Sequence, residues 1–433
     1  MARRARRAPP RCSDAAVVNL PARPSPAAAL RYGWRLGCLS FGGPAGQIAL
    51  LHREVVREHG WLGEDEFGRA LNFCMLLPGP EALQLVIYIG WRWYGTLGGI
   101  LAGLCFLVPA MLLLTALSFT FVLYGTLAPI AAAVTGLKAV VVALVIQALL
   151  RLGRRALKDS WHVAFAATAF AALAILKVPF PLIVIAGLVA GPVVFRRTPA
   201  ARAAPGKALP LGRVIRILGC GAALWALPLA LLSLVSAGEL PTRLYLFFSQ
   251  AAVFGFGGAY AILAYVNTQL VGVLGWLSPP QLVAGLALAE TTPGPLTLVL
   301  QFYGFVAGWN APGAMAPASA ALLSSALASW ATFLPSFVLV LAGAPYLERV
   351  AAIAGLAAAL EAVTAIVVGV IASFALAVAV AVLLPRGFAA PDWSAVVIAA
   401  GAGFAITRSR LGLPWILAGG AAAALVWARV AGA

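Results

Sequence analysis

The feature that most constrains this chain is a short Pro-Gly-Pro break that interrupts two long apolar runs. The first break lies at Pro78–Pro80, inside an apolar run from Ala70 to Trp91, and the second lies at Pro293–Pro295. Proline removes a backbone donor and glycine frees the backbone, so each run is predicted to split into two half-helices. In hydrocarbon, the freed backbone groups are tolerated only where they face protein or a wet cavity. Each break therefore marks a candidate ligand site.

The composition places these breaks in a membrane protein. Hydrophobic residues make up 63% of the chain and charged residues only 10%, as in an all-α polytopic membrane protein. The net charge of +17 comes largely from arginines in the N-terminal tail and two loops, where they act as orientation signals, so no nucleic-acid partner is expected. Five cysteines without a C-x-x-C pair and only three histidines predict no metal site, and no cofactor is indicated.

The chain contains an internal repeat. A shift of 215 residues aligns residues 37–86 with residues 252–301 without a gap, and 14 of the 50 positions are identical. The shared positions include Phe-Gly-Gly at Phe41–Gly43 and Phe256–Gly258, Gly-Trp-Leu at Gly60–Leu62 and Gly275–Leu277, and both Pro-Gly-Pro breaks. Three separate glycine, tryptophan and proline signals in one register indicate two homologous halves.

Apolar run length predicts about 13 transmembrane spans. They lie near residues 29–51, 70–91, 97–123, 127–150, 161–176, 178–195, 215–236, 244–269, 282–308, 318–343, 353–384, 394–407 and 411–430. The predicted organisation is a basic tail over 1–28, a first domain over 29–195, a basic linker over 196–214 and a second domain over 215–433.

The positive-inside rule gives these spans a direction. The tail, the segment 151–158 and the linker are all rich in Arg or Lys and are therefore predicted to be cytoplasmic, with the chain in the cell's inner (plasma) membrane. Four spans separate the first two segments and two spans separate the next, so the assignment is consistent. A single span then precedes the second domain, which predicts two inverted-topology repeats, the usual plan of a secondary transporter.

Four ionisable residues lie deep in the predicted spans. A charge facing lipid costs roughly 2.5 to 3.5 kcal/mol, so Glu81, Glu290, Lys138 and Glu361 should face the protein interior. Glu81 follows the first break directly and Glu290 precedes the second, which favours a role in proton coupling or gating. For Lys138 and Glu361, a structural ion pair between the repeats is as good an interpretation as a functional role.

A half-helix that starts after a break points unpaired N–H groups and a positive dipole end at the site, which suits an anion. The hydroxyl and amide side chains near the breaks could donate hydrogen bonds to it without a fixed charge. The candidate substrate-binding residues are Phe41, Gly42, Gly43, Asn72, Pro78, Gly79, Pro80, Gln84, Gly257, Gly258, Thr291, Thr292, Pro293, Gly294, Pro295 and Gln301. For the Phe-Gly-Gly pairs, close helix packing is an equally good interpretation.

A charged connection follows the first span. It contains Arg53 and Arg57, which could form a vestibule that gathers anions. The alternative is an ordinary solvated connection, and the second repeat has the uncharged Asn267–Gln269 at the positions that match His52–Glu54.

The motifs resemble those of the chromate transporter family. The resemblance covers about residues 30–430 and is carried by Ser40–Pro44, His52–Glu54, Leu71–Ala82, Tyr88–Trp91, Phe254–Gly258 and Ala289–Pro295. It implies a long-chain, two-domain secondary transporter that carries chromate out of the cell and confers chromate resistance, with sulfate as a structural analogue that can compete. Leu83 stands where the family often has a glutamine, which weakens an amide role at that position.

Two other functions stay open at this point. A transporter of sulfate or another tetrahedral oxyanion fits the same architecture. A membrane-embedded enzyme is disfavoured, because neither an H-E-x-x-H zinc motif nor a G-x-S-x-G nucleophile motif occurs, and no nucleotide-binding loop is present. The sequence does not decide the oligomeric state and leaves a homodimer open.

Overall fold

In a computed structural model, the chain is described over residues 23–195, 211–235, 239–256, 258–347, 353–409 and 411–430. These residues form helices joined by short connections and contain no β-strand. The helices of the first half are α1 Pro26–Leu39, α2 Gly43–Leu51 with a π-helical extension over His52–Glu58, α3 Glu64–Leu76, α4 Glu81–Tyr124, α5 Ala128–Ala156, α6 Ser160–Ala174, α7 Phe180–Val194 and α8 Leu211–Val235.

The second half repeats the order of α1 to α7, with two helices in place of α4, and the described residues contain no counterpart of α8. Its helices are α9 Glu239–Val253, α10 Ala259–Asn267 with a π-helical extension over Thr268–Val273, α11 Pro279–Thr291, α12 Val299–Asn310 after a 3₁₀ turn at Leu296–Leu298, α13 Pro317–Gly343 with a 3₁₀ turn at Ala344–Tyr346, α14 Ala354–Leu383, α15 Trp393–Arg408 and α16 Leu413–Val430.

The long helix α4 is two antiparallel limbs. Tyr94 and Gly95 have non-helical backbone angles, and the φ of +65° at Gly95 lies in the region that only glycine adopts readily. A Cβ on Gly90 would lie 2.5 Å from the carbonyl oxygen of Gly98, a contact that two positions eight residues apart in one straight helix cannot make. The chain therefore reverses between residues 81–93 (α4a) and 96–124 (α4b).

Two helical hairpins open the first repeat. In hairpin 1, α1 and α2 fold back on each other, and Arg35 Nη2 lies 3.8 Å from Glu54 Oε1. In hairpin 2, α3 and α4a do the same, and Arg92 Nε donates to Glu66 Oε1 at 2.6 Å. The 13 residues of α3 span about 20 Å, which is shorter than the roughly 30 Å hydrocarbon core. Both hairpins can therefore enter a membrane and return to the same side.

The second repeat opens in the same way. In hairpin 3, formed by α9 and α10, the rings of Phe247 and Tyr265 lie 5.7 Å apart. In hairpin 4, formed by α11 and α12, the Tyr303 hydroxyl donates to the carbonyl oxygen of Leu282 at 3.0 Å. The turns of hairpins 1 to 4, here called tips 1 to 4, are residues 40–42, 77–80, 254–256 with 258, and 292–295.

The hairpins correct the predicted set of spans. The expected spans near 29–51, 70–91, 244–269 and 282–308 are each a pair of half-helices that fold back, because a Pro-Gly-Pro or Phe-Gly-Gly break lets the chain reverse as well as continue. By length and composition, six of the described helices can cross a membrane, and α4 is one of them. Many large apolar side chains on α4b, α7 and α8 are exposed, as expected of surfaces that face lipid.

The core is built around two long helices, α5 and α14. They pack against each other, α5 also contacts α11, α15 and α16, and α14 also contacts α6, α7 and α10. The ion pair predicted between Lys138 and Glu361 does not form. Instead, Glu361 Oε1 lies 3.3 Å from His162 Nε2 and 3.6 Å from Lys158 Nζ. The correction follows from the axial position of Glu361 on α14, which is level with the start of α6.

Candidate functional site

The four hairpin tips meet as two reciprocal pairs. The backbone N–H of Gly79 in tip 2 donates to the carbonyl oxygen of Gly255 in tip 3 at 3.0 Å. The backbone N–H of Gly294 in tip 4 donates to the carbonyl oxygen of Ser40 in tip 1 at 3.2 Å. Gly79 and Gly294 are 215 residues apart, and so are Ser40 and Gly255. The two hydrogen bonds are therefore the same contact made twice, with the repeats exchanging roles.

Side chains reinforce the junction between tips 1 and 4. The Ser40 hydroxyl oxygen accepts a hydrogen bond from the Gly294 N–H at 3.2 Å. The buried Gln47 side chain donates to the carbonyl oxygens of both Ser40 and Gly294. Gln47 corresponds to Ile262 in the second repeat, so the junction between tips 2 and 3 has no amide in this place.

A cavity of about 340 Å³ lies beside these junctions. The residues that line it with polar groups or with tip backbone come from both repeats, and those of the first repeat include residues of α5. These residues are Gly42, Gly43, Pro44, Glu81, Gln147, Arg151, Arg155, Gly258, Tyr260 and Glu290. Three helices, α2, α10 and α4a, begin at this cavity, so their N-terminal dipole ends favour an anion there.

The cavity contains two arginines that sequence reasoning assigned only to membrane orientation. Gln147, Arg151 and Arg155 are spaced four residues apart and share one face of α5. Arg151 and Arg155 are solvent-exposed, so they stand at the rim where the cavity reaches the surface. The signal available in the sequence was this spacing of one amide and two guanidinium groups.

The two predicted carboxylates are brought together at the same cavity. Glu290 is buried and accepts a hydrogen bond from the Tyr260 hydroxyl at 2.9 Å. Glu81, at the start of α4a, faces the backbone of Gly258, where a Cβ would lie 3.1 Å from Glu81 Oε1. One wall thus carries carboxyl groups and another carries guanidinium groups, an arrangement that can hold an anion and exchange protons beside it.

The predicted site residues divide into two groups. Gly42, Gly43 and Gly258 line the cavity with the two carboxylates, and Gly257 lies outside the described residues. The others shape the tips or their surroundings and do not line the cavity. They are Phe41, Asn72, Pro78, Gly79, Pro80, Gln84, Thr291, Thr292, Pro293, Gly294, Pro295 and Gln301.

The amides and hydroxyls of this second group have structural partners. Gln84 Nε2 donates to the carbonyl oxygen of Pro78 at 2.8 Å. The hydroxyls of Thr291 and Thr292 both donate to the carbonyl oxygen of Leu288. Gln301 Nε2 donates to the carbonyl oxygen of Met111 at 2.9 Å and lies 2.8 Å from Thr115 Oγ1. Asn72 is exposed on α3.

The proposed arginine vestibule lies apart from the cavity. Arg53 Nε is 3.3 Å from Glu58 Oε1, and Arg53 Nη2 is 3.9 Å from Glu54 Oε1. Arg57 is exposed, and neither arginine lines the cavity. Within the described ranges, no cluster of three His, Cys, Asp or Glu side chains could hold a metal ion.

Comparison with known proteins identifies the family. The family model described as "Chromate transporter" matches residues 28–192 and 242–425. A chromate transport protein from Pseudomonas aeruginosa is 36% identical over 343 residues, which cover 78% of this chain and 77% of the relative. A probable chromate transport protein from Synechococcus elongatus is 31% identical over 320 residues, which cover 74% of this chain and 76% of the relative.

A third relative, a chromate transport protein from Cupriavidus metallidurans, is 29% identical over 346 residues, covering 78% of this chain and 79% of the relative. No solved structure matches the chain. These comparisons confirm the family resemblance drawn from the motifs. They also support the prediction of a multi-pass membrane protein. The family match falls on both halves that carry the hairpins, the tips and the cavity. This chain belongs to the chromate transporter family.

Proposed function

We propose that the cavity binds chromate and that the protein exports it from the cytoplasm, conferring chromate resistance. One juxtaposition supports this most strongly: Arg151 and Arg155 face the N-terminal ends of helices from both repeats across a single cavity. Chromate is a tetrahedral dianion, and guanidinium groups recognise such oxyanions with paired N–H donors. The N-terminal dipole ends of α2 and α10 add further positive potential.

The proposed direction follows from where the cavity reaches the surface. Its rim arginines belong to the basic segment 151–158, which the positive-inside rule assigns to the cytoplasm together with the N-terminus. A dianion leaving a cell that is negative inside gains about 4.6 kcal/mol per 100 mV, twice the single-charge value. This corresponds to roughly a thousandfold gradient. The membrane potential of the plasma membrane is thus a sufficient driving force for export.

Glu81 and Glu290 give the same cavity a means of coupling to protons. A carboxylate beside a bound dianion repels it, whereas a protonated carboxyl does not, so occupancy by chromate and protonation favour each other. A proton that left the cell with the ion would cancel one of its two charges and lower the electrical gain to about 2.3 kcal/mol per 100 mV. The Tyr260 hydroxyl donates to Glu290, whereas Glu81 lies against the tip backbone at Gly258. In this proposal, Glu81 exchanges the coupled proton.

Sulfate or another tetrahedral oxyanion is the second candidate cargo. The cavity lining supplies guanidinium groups and helix N-termini. These groups recognise the charge and shape of an anion, and none of them is specific for chromium. Sulfate is therefore expected to compete for the same site.

Uptake of radiolabelled chromate into everted vesicles energised to be positive inside tests the proposal. The native chain should accumulate chromate, excess sulfate should suppress it, and Arg151→Gln with Arg155→Gln should lower the initial rate at least tenfold. Glu81→Gln should abolish accumulation or remove its dependence on pH. Arg154→Gln removes a charge from the same helix outside the cavity lining and should transport normally.

Each outcome bears on a different part of the proposal. A native chain that inserts normally and accumulates no chromate would refute chromate export. Accumulation that survives the double arginine change would move the binding site away from the cavity. Unaltered transport and pH dependence in Glu81→Gln would remove that residue from coupling.

A further inference from the structure

A second and larger crevice lies on the outside of the helix bundle and shares no lining residue with the cavity at the tips. It has a volume of about 850 Å³ and runs between α4b, α8 and α13. Its walls are almost entirely aliphatic and aromatic, including Leu104, Phe337 and Trp330. Helix α8 is mostly exposed and packs mainly against α13. The crevice is thus an apolar space at the lipid-facing surface, separate from the chromate cavity.

One end of the crevice is strongly basic. Arg213 and Arg216 both line it within the first turns of α8. The Arg213 guanidinium donates to Thr96 Oγ1 at 3.2 Å and lies 5.7 Å from the centre of the Trp91 ring. Among the described residues, neither arginine forms an ion pair with a carboxylate, so both guanidinium groups keep charge available for an anionic ligand.

The length of the crevice matches one leaflet of a bilayer. From Arg213 to Leu224, which lines the opposite end, α8 advances 11 residues, or about 16 Å. Half of a hydrocarbon core of about 30 Å is 15 Å. Trp330 closes that far end, with its indole N–H donating to the carbonyl oxygen of Leu224 at 3.0 Å.

We propose that this crevice is a binding site for one anionic phospholipid of the cytoplasmic leaflet. Its phosphate headgroup lies at Arg213 and Arg216, and an acyl chain fills the apolar length as far as Trp330. Arginine pairs at the membrane surface attract anionic headgroups, whereas zwitterionic lipids gain little from them. The lipid would connect the peripheral helix α8 to α4b and α13 and so support the helix that joins the two repeats.

Native mass spectrometry of the purified full-length chain tests this site. Titration with phosphatidylglycerol and phosphatidylcholine of equal chain length should show tighter binding of phosphatidylglycerol. Arg213→Gln with Arg216→Gln should weaken phosphatidylglycerol binding by about fivefold for each arginine lost, and leave phosphatidylcholine unchanged. Arg31→Gln, an exposed charge on α1 outside the crevice, should bind both lipids as the native chain does.

A second variant tests the apolar part with both arginines in place. Ala326 lines the crevice, and Ala326→Phe should fill it and weaken the binding of both lipids. Equal affinities of the native chain for the two lipids would overturn the proposal. So would full retention of phosphatidylglycerol by the double arginine variant, or unchanged binding by Ala326→Phe with a native melting temperature.

Discussion

At the scale of single residues, the proposed chromate cavity depends on backbone that approaches side chains closely. Gly258 has φ +90° and ψ −177°, a conformation that is essentially restricted to glycine. Its missing side chain leaves room for the Glu81 carboxylate at the same point. One glycine therefore satisfies two separate requirements, a turn between α9 and α10 and access to a functional carboxyl group.

Gly258→Ala tests this double requirement. We expect a loss of about 1 to 3 kcal/mol in stability from the backbone strain. We also expect at least a tenfold lower chromate transport rate, because the Cβ would displace the Glu81 carboxylate. The measurements are thermal unfolding and vesicle uptake. Gly313→Ala also has positive φ, with nothing within 4 Å of its Cβ, and should transport normally; equal transport losses in both variants would contradict the role of Glu81 contact.

At the scale of elements, the two tip junctions are related by the repeat but are unequal in strength. The junction of tips 1 and 4 has a backbone hydrogen bond, the Ser40 hydroxyl and the Gln47 amide. The equivalent junction of tips 2 and 3 has the backbone bond of Gly79 to Gly255. The first junction is therefore the more stable anchor, and the second is the one that should open more easily.

Removing the amide at the stronger junction should destabilise the protein measurably. Gln47→Ala leaves the buried carbonyl oxygen of Gly294 without its side-chain donor, whereas that of Ser40 keeps the Gly294 N–H. The expected cost is about 2 kcal/mol. Chemical unfolding of the detergent-solubilised protein measures this difference. Gln250→Ala, an exposed glutamine on α9, should change the free energy of unfolding by less than about 0.5 kcal/mol. A similar small change in Gln47→Ala would show that the amide does not hold the junction.

At the scale of the whole molecule, the hairpins leave the predicted orientation unchanged. Each repeat exchanges two expected crossing spans for two hairpins that return to the side they entered from. Two is an even number, so the side on which α4b begins is the same in both descriptions. The inverted arrangement predicted from arginine placement is therefore compatible with fewer crossings and stays a prediction.

Labelling of paired cysteines tests that orientation. Arg57 and Gly272 are equivalent positions under the 215-residue shift, and both are exposed at the ends of hairpins 1 and 3. In a background without the native cysteines, Arg57→Cys should react with a membrane-impermeant maleimide only from the cytoplasmic side. Gly272→Cys should react only from the outside. Reaction of both from one side would mean that the repeats are parallel.

The sequence predicted the tips better than the paths that lead to them. Pro-Gly-Pro identifies where a helix must stop, but it does not fix the angle between the two halves, so residues 70–91 resembled one crossing span. The 13-residue length of α3 is the physical reason for the hairpin, and apolar composition alone cannot reveal where a helix begins. Arg151 and Arg155 were missed as site residues because membrane orientation already accounted for their charge.

The basic face of α5 also makes the two repeats chemically unequal. Transporters with inverted repeats change their open side when the two repeats exchange conformations. In the second repeat, α14 follows α13 as α5 follows α4b, yet Ala354–Leu383 contains no arginine or lysine. On the proposed cycle, the ion meets two guanidinium groups of α5 on the loading side, and α14 supplies none on the release side. A backbone that is symmetric but carries basic side chains on one side only would thus bind the anion more readily from that side than from the other.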